Sequence, residues 1–515
     1  MQKKQDKVNL VWFRNDLRTT DNAVLAEACV NGNKVVAVYC FDPRHFKVNS
    51  FGFKKTEKFR AKFLIESVAN LKSQLNILNI DLLIYQELPE TVISNLCDSY
   101  NVENIYLQKE WTQEEIEIEQ CVKSKVRHSN WHHIHNQFLF HPEDIIFDIA
   151  KTPQVFTVFR KKCEKYVEIR EEAIVKKQSF ENRLENNTTI PNLSDLGFEN
   201  FEKHPHTAFP FIGGETEAIK RLNDYFFNTK KLAFYKKTRN GLVGIDYSSK
   251  FSPWLANGSI SARTIYRNVK QFEKDHFKNQ STYWLIFELI WRDYFKYVSM
   301  KHGNQIFKLE GILNKDYKWS TNQSHISKWI DGETPSDFIN ANMIELRETG
   351  WMSNRGRQNV ASYFAKELEL DWRIGASYFE ALLIDYDVHS NYGNWMYVAG
   401  VGNDPRDRKF NVRMQAERYD ENGKFQRQWN QKKFIRMKLR LILGDQLNLQ
   451  HPWFETVEEK VTYLLMEMRQ ETDYAPHHIQ KVVGFFGAMR HFAQVLKQQG
   501  HQVIYFKLDD AENLQ

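Results

Sequence analysis

A glutamate surrounded by aromatic residues is the feature of this 515-residue sequence with the most chemical potential. In the run Trp284-Leu-Ile-Phe-Glu-Leu-Ile-Trp-Arg, helical spacing places Trp284, Glu288, Trp291 and Arg292 on adjoining turns of one helix. A carboxyl among so many apolar neighbours must be paired, be protonated or face a cavity. Two interpretations stay open: a buried Glu288–Arg292 ion pair, or an acid that faces a ligand.

Hydroxyl groups cluster beside a lysine further upstream. Ser248, Ser249 and Ser252 lie around Lys250. Hydroxyls and backbone N–H groups next to a fixed positive charge are suited to binding phosphate. The competing interpretation is helix capping, because Ser252-Pro253 is an ordinary start of a helix.

Two later segments combine charged and amide side chains. Residues 351–363 contain Arg355 and Arg357 with three amides, and residues 385–395 contain two carboxylates and two amides. Such groups can hydrogen-bond the edge of a heterocycle. Locally, an Asx-rich loop that closes a helix explains the second segment equally well.

A histidine-rich run was weighed as a metal site. In the sequence Trp131-His-His-Ile-His, His133 and His135 share one face of a predicted strand, as two metal ligands would. No carboxylate or cysteine completes the set nearby in the sequence, so an ordinary strand with a polar side is preferred and no metal is predicted.

Composition excludes several classes of protein. Apolar residues make up 42% and charged residues 26%, the balance of an ordinary globular protein. No stretch approaches the roughly 20 apolar residues that a membrane span needs, and the first ten residues contain no secretory signal. Five cysteines without a C-x-x-C pair argue against a disulfide scaffold or a cysteine-ligated cluster. We therefore expect a cytoplasmic protein.

The net charge of +6 permits a nucleic-acid partner without requiring one. Ten Lys/Arg against five Asp/Glu between residues 403 and 436 form either a phosphate-binding surface or a solvated tail.

The elements that must position these residues follow from the hydrophobic pattern. Short apolar runs at Val8–Phe13, Lys34–Phe41, Asp81–Tyr85 and Asn104–Leu107 alternate with helical patterns, and the histidine-rich run at Trp131–His135 is also strand-like. Together these runs predict a parallel, Rossmann-like sheet of five strands. No G-x-G-x-x-G follows the first strand, which disfavours a dinucleotide site there. Four regions are predicted: an α/β domain at 8–145, a connector at 146–215, a large helical domain at 216–436 and a short α/β segment at 437–515.

Several long motifs, in order, resemble those of the photolyase/cryptochrome family, and specifically its cryptochrome-DASH branch. The resemblance runs from about residue 8 to residue 434. It rests on Trp-Phe-Arg-Asn-Asp-Leu-Arg (12–18), Thr-Arg-Asn-Gly (238–241), Phe-Ser-Pro-Trp-Leu (251–255), Trp-Arg-Asp-Tyr-Phe (291–295), Trp-Met-Ser-Asn-Arg-Gly-Arg-Gln-Asn (351–359) and Asn-Tyr-Gly-Asn-Trp through Gly-Val-Gly-Asn-Asp-Pro-Arg (391–406).

This resemblance implies a U-shaped FAD in the helical domain, beside a cavity for a flipped-out pyrimidine dimer. The phosphates and ribityl chain would be held by Tyr235, Ser248, Ser249, Lys250, Phe251 and Ser252. The isoalloxazine and its phosphate–sugar arm would be surrounded by Arg292, Asn354, Arg357, Asp385 and Asp387. Asn391 would face the flavin N5 edge, where an amide can serve both protonation states.

The resemblance also assigns roles in the photochemistry. Trp395, Trp372 and Trp319 would pass an electron to photoexcited flavin. Glu288 would hydrogen-bond or protonate the dimer and Trp291 would stack on it, while reduced FAD splits the cyclobutane ring by light-driven electron donation.

Two departures from the duplex-repairing pattern bear on the substrate. Gln358 stands where those enzymes usually have Met, and Tyr397 where they usually have Trp. Both would make the dimer cavity more polar and a poorer stacking surface. Because extracting a base from a duplex costs a few kcal/mol, we expect a preference for dimers in single-stranded DNA.

The remaining expectations concern the antenna, the tail and the assembly. A methenyltetrahydrofolate antenna is expected between the domains, with Glu110 as a contact. The tail from Met437, with Leu-Arg-Leu-Ile-Leu-Gly-Asp-Gln-Leu-Asn at 439–448, resembles the start of iron–sulfur photolyase-related proteins. It is either a natural fusion cut short or two joined genes, and no catalysis is assigned to it. We expect a monomer without a membrane partner.

Three functions compete at this point: a light-driven repair enzyme, a blue-light photoreceptor that signals through partners, and a non-catalytic nucleic-acid-binding protein. Glu288 and Trp291 favour the enzyme, because a pure sensor needs no dimer-binding pair.

Overall fold

A computed structural model gives the fold and describes residues 6–126, 128–404, 406–430, 438–458, 461–473, 475–510 and 513. The chain divides into two compact units, Met1–Trp429 and Asn430–Gln515. In the part of the chain that the structure describes, no helix is long and apolar enough to span a bilayer.

A five-stranded parallel sheet opens the first unit, as predicted. Its strands are β1 (Val8–Phe13), β2 (Lys34–Cys40), β3 (Leu82–Tyr85), β4 (Val102–Gln108) and β5 (Asn130–Ile134), in the spatial order β3-β2-β1-β4-β5. Its helices are α1 (Ala23–Ala28), α2 (Lys58–Ile77), α3 (Pro89–Ser99) and α4 (Gln113–Lys125). Separate apolar clusters cover the two faces of the sheet, which explains why β1 is buried at every position. Strands β1 to β4 lie within two residues of their predicted limits.

The connector begins with α5 (Phe156–Tyr166) and then runs without regular structure to residue 214, apart from single helical turns such as Phe180–Asn182. It is fastened by side chains: the Asn182 amide donates to the carbonyl oxygen of Val35 and accepts from the Val35 N–H. These side-chain hydrogen bonds take the place of the regular backbone hydrogen bonds that an irregular segment lacks.

The rest of the first unit is helical. It contains α6 (Glu215–Asn223), α7 (Tyr235–Thr238), α8 (Ser252–Ala256), α9 (Ala262–Asp275), α10 (Gln280–His302), α11 (Gln323–Asp331), α12 (Asp337–Thr349), α13 (Asn354–Ser362), α14 (Trp372–Leu382), α15 (Val388–Ala399), α16 (Val412–Tyr419) and α17 (Lys424–Trp429). The long helix α10 starts at a capping box on Asn279 and ends at Gly303, whose φ is 52°. Its buried residues belong to the largest apolar core of the molecule.

The second unit is a small α/β structure. Parallel strands β6 (Lys438–Leu441), β7 (Val461–Met466) and β8 (Gln502–Phe506) pair in that order, with α18 (Gln470–Asp473) and α19 (Ile479–Gln498) between β7 and β8. Alternate residues of β7 are buried in a cluster that includes Phe492 and Leu496 of α19. Met437, where the sequence places the start of this segment, lies outside the described residues.

Candidate cofactor and substrate site

A cavity of about 250 Å³ lies inside the helical region, against one face of α10. Eleven of the residues predicted to hold FAD line it: Tyr235, Ser248, Ser249, Lys250, Phe251, Ser252, Arg292, Asn354, Arg357, Asp385 and Asp387. They come from α7, the segment before α8, and helices α10, α13 and α15 with their preceding loops. The fold thus brings five sequence segments to one cavity.

Lys250 is the most informative residue of this cavity. Its φ of 65° is left-handed, and its side chain is buried with Nζ over the rings of Tyr247 (3.3 Å) and Trp351 (4.4 Å). Among the described residues, Nζ has no hydrogen-bond partner. Burial lowers the pKa of this amine well below its usual range. A buried, unpartnered amine at a cavity wall fits an anionic ligand such as the FAD diphosphate.

Two ion pairs shape the remainder of the wall. Arg357 Nη2 donates to both carboxylate oxygens of Asp385, at 2.9 and 3.0 Å. Lys296 Nζ donates to Asp387 Oδ2 at 3.1 Å, and Asp387 also caps α15 by accepting from the Ser390 N–H. Burial alone would raise the pKa of Asp387, but the positive charges of Lys296 and Arg292 and the hydrogen bond from Ser390 together hold the pKa far below the usual range. These fixed polar groups can orient the edge of a heterocycle.

Ser252 does not cap α8 in the way its position suggested. The helix begins at Ser252 itself, Phe251 occupies the N-cap position, and no side chain caps the helix. The interpretation of Ser252 as an N-cap is therefore wrong. Its side chain does not cap the helix, and the residue lines the cavity.

Glu288 also lines this cavity, but its ionic partner differs from the one considered from sequence. Arg239 of the loop after α7 approaches to 2.9 Å, from Nη2 to Oε1 of Glu288. Arg292 instead donates to the backbone carbonyls of Gln137 and Leu255. The i, i+4 pair is therefore wrong, because Arg292 finds two buried carbonyls on other segments. Burial raises the pKa of Glu288, and the charge of Arg239 opposes this rise.

Trp291 stands at the outer side of α10. Phe156, the first residue of α5, stacks on its ring with centroids 3.6 Å apart and planes 9° apart. Tyr397 of α15 meets the ring edge-on at 6.1 Å. Gln358 is half-buried on α13. One face of Trp291 is thus covered by the chain itself.

The three predicted electron-transfer tryptophans lie on adjacent segments. Trp395 is 2% exposed, and a Cβ at Gly375 of α14 would clash with its ring. Trp372, the first residue of α14, is fully buried and contacts Tyr392 of α15 at 6.1 Å. Trp319 is half-buried, and its neighbour Ser320 forms a parallel bridge with Leu370, two residues before Trp372. The series runs from the core toward the surface.

Asn391 lies on α15 directly after Ser390, which lines the cavity. Its Nδ2 donates to the carbonyl oxygen of Ala376 at 2.9 Å, and the residue is 8% exposed. Asn391 itself is not among the residues that line the cavity.

A second cavity, of about 610 Å³, lies between the parallel sheet and the helices. Glu110 lines it, and its Oε1 accepts from Gln108 Nε2 at 2.7 Å. Burial raises the pKa of Glu110 and that of Glu115, the latter to about 7. Arg292 and Asp387 line both cavities, so the two are neighbours.

The histidine run is an ordinary strand with one unforeseen partner. His133 Nε2 lies 2.7 Å from Glu119 Oε1 on α4. No carboxylate lies near this run in the sequence, but the fold brings Glu119 of α4 beside β5. His135 instead lies beside Trp111 and Phe138.

Sequence reasoning assigned no role to several residues of the site, among them three polar or aromatic cavity residues and one ring outside the cavity. Arg239, Tyr247 and Trp351 line the FAD-type cavity, and Phe156 covers Trp291. Arg239 could have been found from the sequence, because it belongs to the Thr-Arg-Asn-Gly motif. Phe156 had none, because 135 residues separate it from the indole on which it stacks.

Comparison with known proteins agrees with this geometry. The family described as the FAD binding domain of DNA photolyase matches residues 284–480, and the family described as DNA photolyase matches residues 9–178. The chain therefore belongs to the photolyase/cryptochrome family.

Within that family, its relatives are cryptochrome DASH proteins. Cryptochrome DASH of Synechocystis sp. is 43% identical over 460 residues, which cover 88% of this chain and 91% of that protein. Cryptochrome DASH of Xenopus laevis is 45% identical over 82% of each chain. The crystal structure of the Synechocystis cryptochrome matches with a TM-score of 0.80 at 43% identity, over 84% of this chain and 90% of that one. An archaeal photolyase from Sulfolobus tokodaii, solved with two FAD molecules, matches with a TM-score of 0.66 at 25% identity, over 82% of this chain and 90% of that one.

Proposed function

We propose that this protein repairs cyclobutane pyrimidine dimers, preferentially in single-stranded DNA, by light-driven electron transfer from reduced FAD. The observation that carries the proposal is the position of Glu288, an acid with a raised pKa at the wall of the cavity that fits FAD, on the same helix as the stacking residue Trp291.

The side chains around the cavity have distinct tasks in this reaction. Lys250, Ser248, Ser249 and Ser252 would bind the diphosphate. The Arg357–Asp385 pair would fix the ring system. The chemistry supplied by bound, reduced FAD is donation of an electron to the dimer under light and its recovery after the ring has split.

Glu288 and Trp291 would hold the lesion. The protonated carboxyl of Glu288 would donate a hydrogen bond to a pyrimidine carbonyl, and its raised pKa keeps that proton in place above the ordinary range of a carboxylic acid. Arg239 fixes the direction in which the carboxyl points. The face of Trp291 not covered by Phe156 would stack on the dimer.

The preference for single strands follows from Gln358 and Tyr397. A half-buried amide and a phenol offer less stacking area than Met and Trp would, so the site recovers less of the unpairing cost of a duplex. The single-strand preference therefore reflects the energy of base extraction.

A second candidate function is blue-light signalling through flavin photoreduction. The series Trp395, Trp372 and Trp319 favours it, because this series connects the core with the surface. Glu288 at the cavity wall, together with Trp291 on the same helix, supports repair as the first candidate.

The larger cavity supports an antenna. We propose that it takes methenyltetrahydrofolate, whose pterin ring would hydrogen-bond the Glu110 carboxyl. The second unit, Asn430–Gln515, is assigned no catalysis.

The test uses the purified full-length protein, reduced and illuminated with dimer-containing DNA. We expect flavin absorption bands and loss of dimers that is confined to, or much faster in, single strands. Photoreduction without repair of either substrate would favour the photoreceptor. Equal repair of both substrates would contradict the single-strand preference.

A further inference from the structure

A row of aromatic side chains continues along α10 away from Trp291. Trp284 and Phe287 stack with centroids 4.6 Å apart and planes 26° apart. Phe287 meets Phe156 edge-on at 5.2 Å, and Phe156 stacks on Trp291. Positions 284, 287 and 291 share one face of a helix, and both Trp284 and Phe287 are half-buried. The predicted lesion site is therefore the end of a longer aromatic surface.

Long cationic side chains lie over this row. Lys236 Nζ is 4.3 Å from the centre of the Trp284 ring and donates to Gln280 Oε1. The guanidinium of Arg160 lies 5.6 Å from the centre of Phe287 and also pairs with Glu164. Flexible cations over exposed aromatic faces can rotate onto a phosphate when another ring takes their place.

We propose that Trp284 and Phe287 form a second stacking site, which binds an unpaired base beside the lesion in single-stranded DNA. This inference rests on the proposed function for its substrate. Lys236 and Arg160 would then contact the neighbouring phosphates. Glu164 is an acidic group beside the row, and its pairing with Arg160 limits its repulsion of the strand.

The dimensions suit a nearby nucleotide. Trp284 and Trp291 are seven residues apart, which is about 10 Å along a helix axis. Stacked nucleotides advance about 3.4 Å each, so the site lies within about three nucleotides of the lesion.

The chemistry also selects unpaired bases. Aromatic rings beside positive charges bind single strands without sequence preference, because every base has a face that can stack. In a duplex the flanking bases already stack and pair, so they are not available to Trp284. The site thus supplies single strands with binding energy that duplexes cannot use.

Equilibrium binding in the dark tests the proposal, with full-length protein and fluorescent oligonucleotides. Trp284→Ala should weaken binding of a dimer-containing single strand and of an undamaged single strand about tenfold each, and should leave the duplex affinity unchanged. Trp284→Phe should restore most of the affinity. Trp131→Ala is the matched control, because Trp131 is also half-buried with a lysine, Lys123, over its ring, but lies on β5.

A salt titration separates the electrostatic contribution of Lys236 from the stacking contribution of Trp284. Lys236→Met should reduce the dependence of log Kd on log salt by about one unit, whereas Trp284→Ala should leave that slope unchanged. FAD content and the melting temperature report whether each variant is folded.

The outcomes separate this inference from the proposed function. Unchanged single-strand affinity in folded Trp284→Ala would overturn the stacking site even if repair is observed. Equal weakening for single strands and duplex would overturn it as well. Absence of dimer repair in the wild type would overturn the proposed function, while a selective loss of single-strand binding in Trp284→Ala would still support the stacking site.

Discussion

Two neighbouring faces of α10 have opposite chemistry. The face with Leu285, Glu288 and Arg292 lines a cavity whose polar groups are held in fixed ion pairs or buried against rings. The face with Trp284, Phe287 and Trp291 carries half-buried aromatic rings that face other rings and the side chains of a lysine and an arginine. One helix thus presents a polar site and a stacking site a fraction of a turn apart.

The difference reflects what each face has to bind. The buried amine of Lys250 has lost its hydration, which lowers its pKa, so an anionic cofactor would favour its charged form and gain a strong electrostatic attraction. Aromatic faces at the surface bind more weakly and release their ligand more readily, which suits a substrate that must leave. Substitutions on the cavity face should therefore lower the affinity for the cofactor strongly. Substitutions on the aromatic face should change the affinity for the substrate only slightly.

The largest effect is expected in the predicted electron-transfer series of tryptophans, which lies on neither of these two faces of α10. Trp372→Phe should abolish photoreduction of oxidised flavin, because Trp372 is the fully buried middle residue of the series. Repair by chemically pre-reduced protein should remain. Transient absorption after a light pulse measures the first effect and dimer loss the second. Normal photoreduction in this variant would remove Trp372 from the path.

The next largest effect is expected on the cofactor side. Lys250→Met should raise the dissociation constant of FAD roughly 10- to 150-fold, since it removes a charged hydrogen-bond donor from the cavity. The flavin-free protein should keep or gain thermal stability, because a buried amine without a partner is lost. Flavin titration and thermal unfolding measure the two effects, and Lys237→Met, exposed on α7, is the control. An unchanged FAD affinity would exclude Lys250 from the diphosphate site.

The same comparison explains how much of the site the sequence could predict. The eleven cavity residues could be predicted because each lies within, or at most six residues from, a motif whose order and spacing are visible in the sequence. The partners of Glu288 and Trp291 could not be predicted, because Arg239 lies 49 residues and Phe156 135 residues upstream of them. Contacts of that range depend on how the connector and helices pack. Similarly, the sheet was predictable from continuous apolar runs, whereas the cap of α8 was not.

An intermediate effect is expected at Glu288, on the cavity face of α10. Its folded-state pKa is raised, so the carboxyl keeps its proton above the usual range and loses it as pH rises through the raised value. Repair by pre-reduced protein should therefore decline as the pH rises. Glu288→Gln should repair about tenfold less and show a flatter pH profile, because an amide donates a hydrogen bond but does not titrate.

The measurement is dimer loss per absorbed photon across the pH range, at constant FAD occupancy. A pH profile that is the same in wild type and Glu288→Gln would assign the titration to another group and contradict a role for this proton.

The smallest effect is expected on the aromatic side, from Tyr397→Trp. The indole adds stacking area next to Trp291, whose edge-on contact with Tyr397 is 6.1 Å, and one aromatic contact changes affinity about 2- to 10-fold. A dimer in a duplex should gain more than a dimer in a single strand, because only the duplex has an unpairing cost left to offset. Dark binding to both substrates measures the ratio, with Tyr317→Trp, beside Trp319, as the control. An equal gain for both would show that stacking area in this cavity does not set the preference for single strands, and that the preference originates along the outer row of α10 instead.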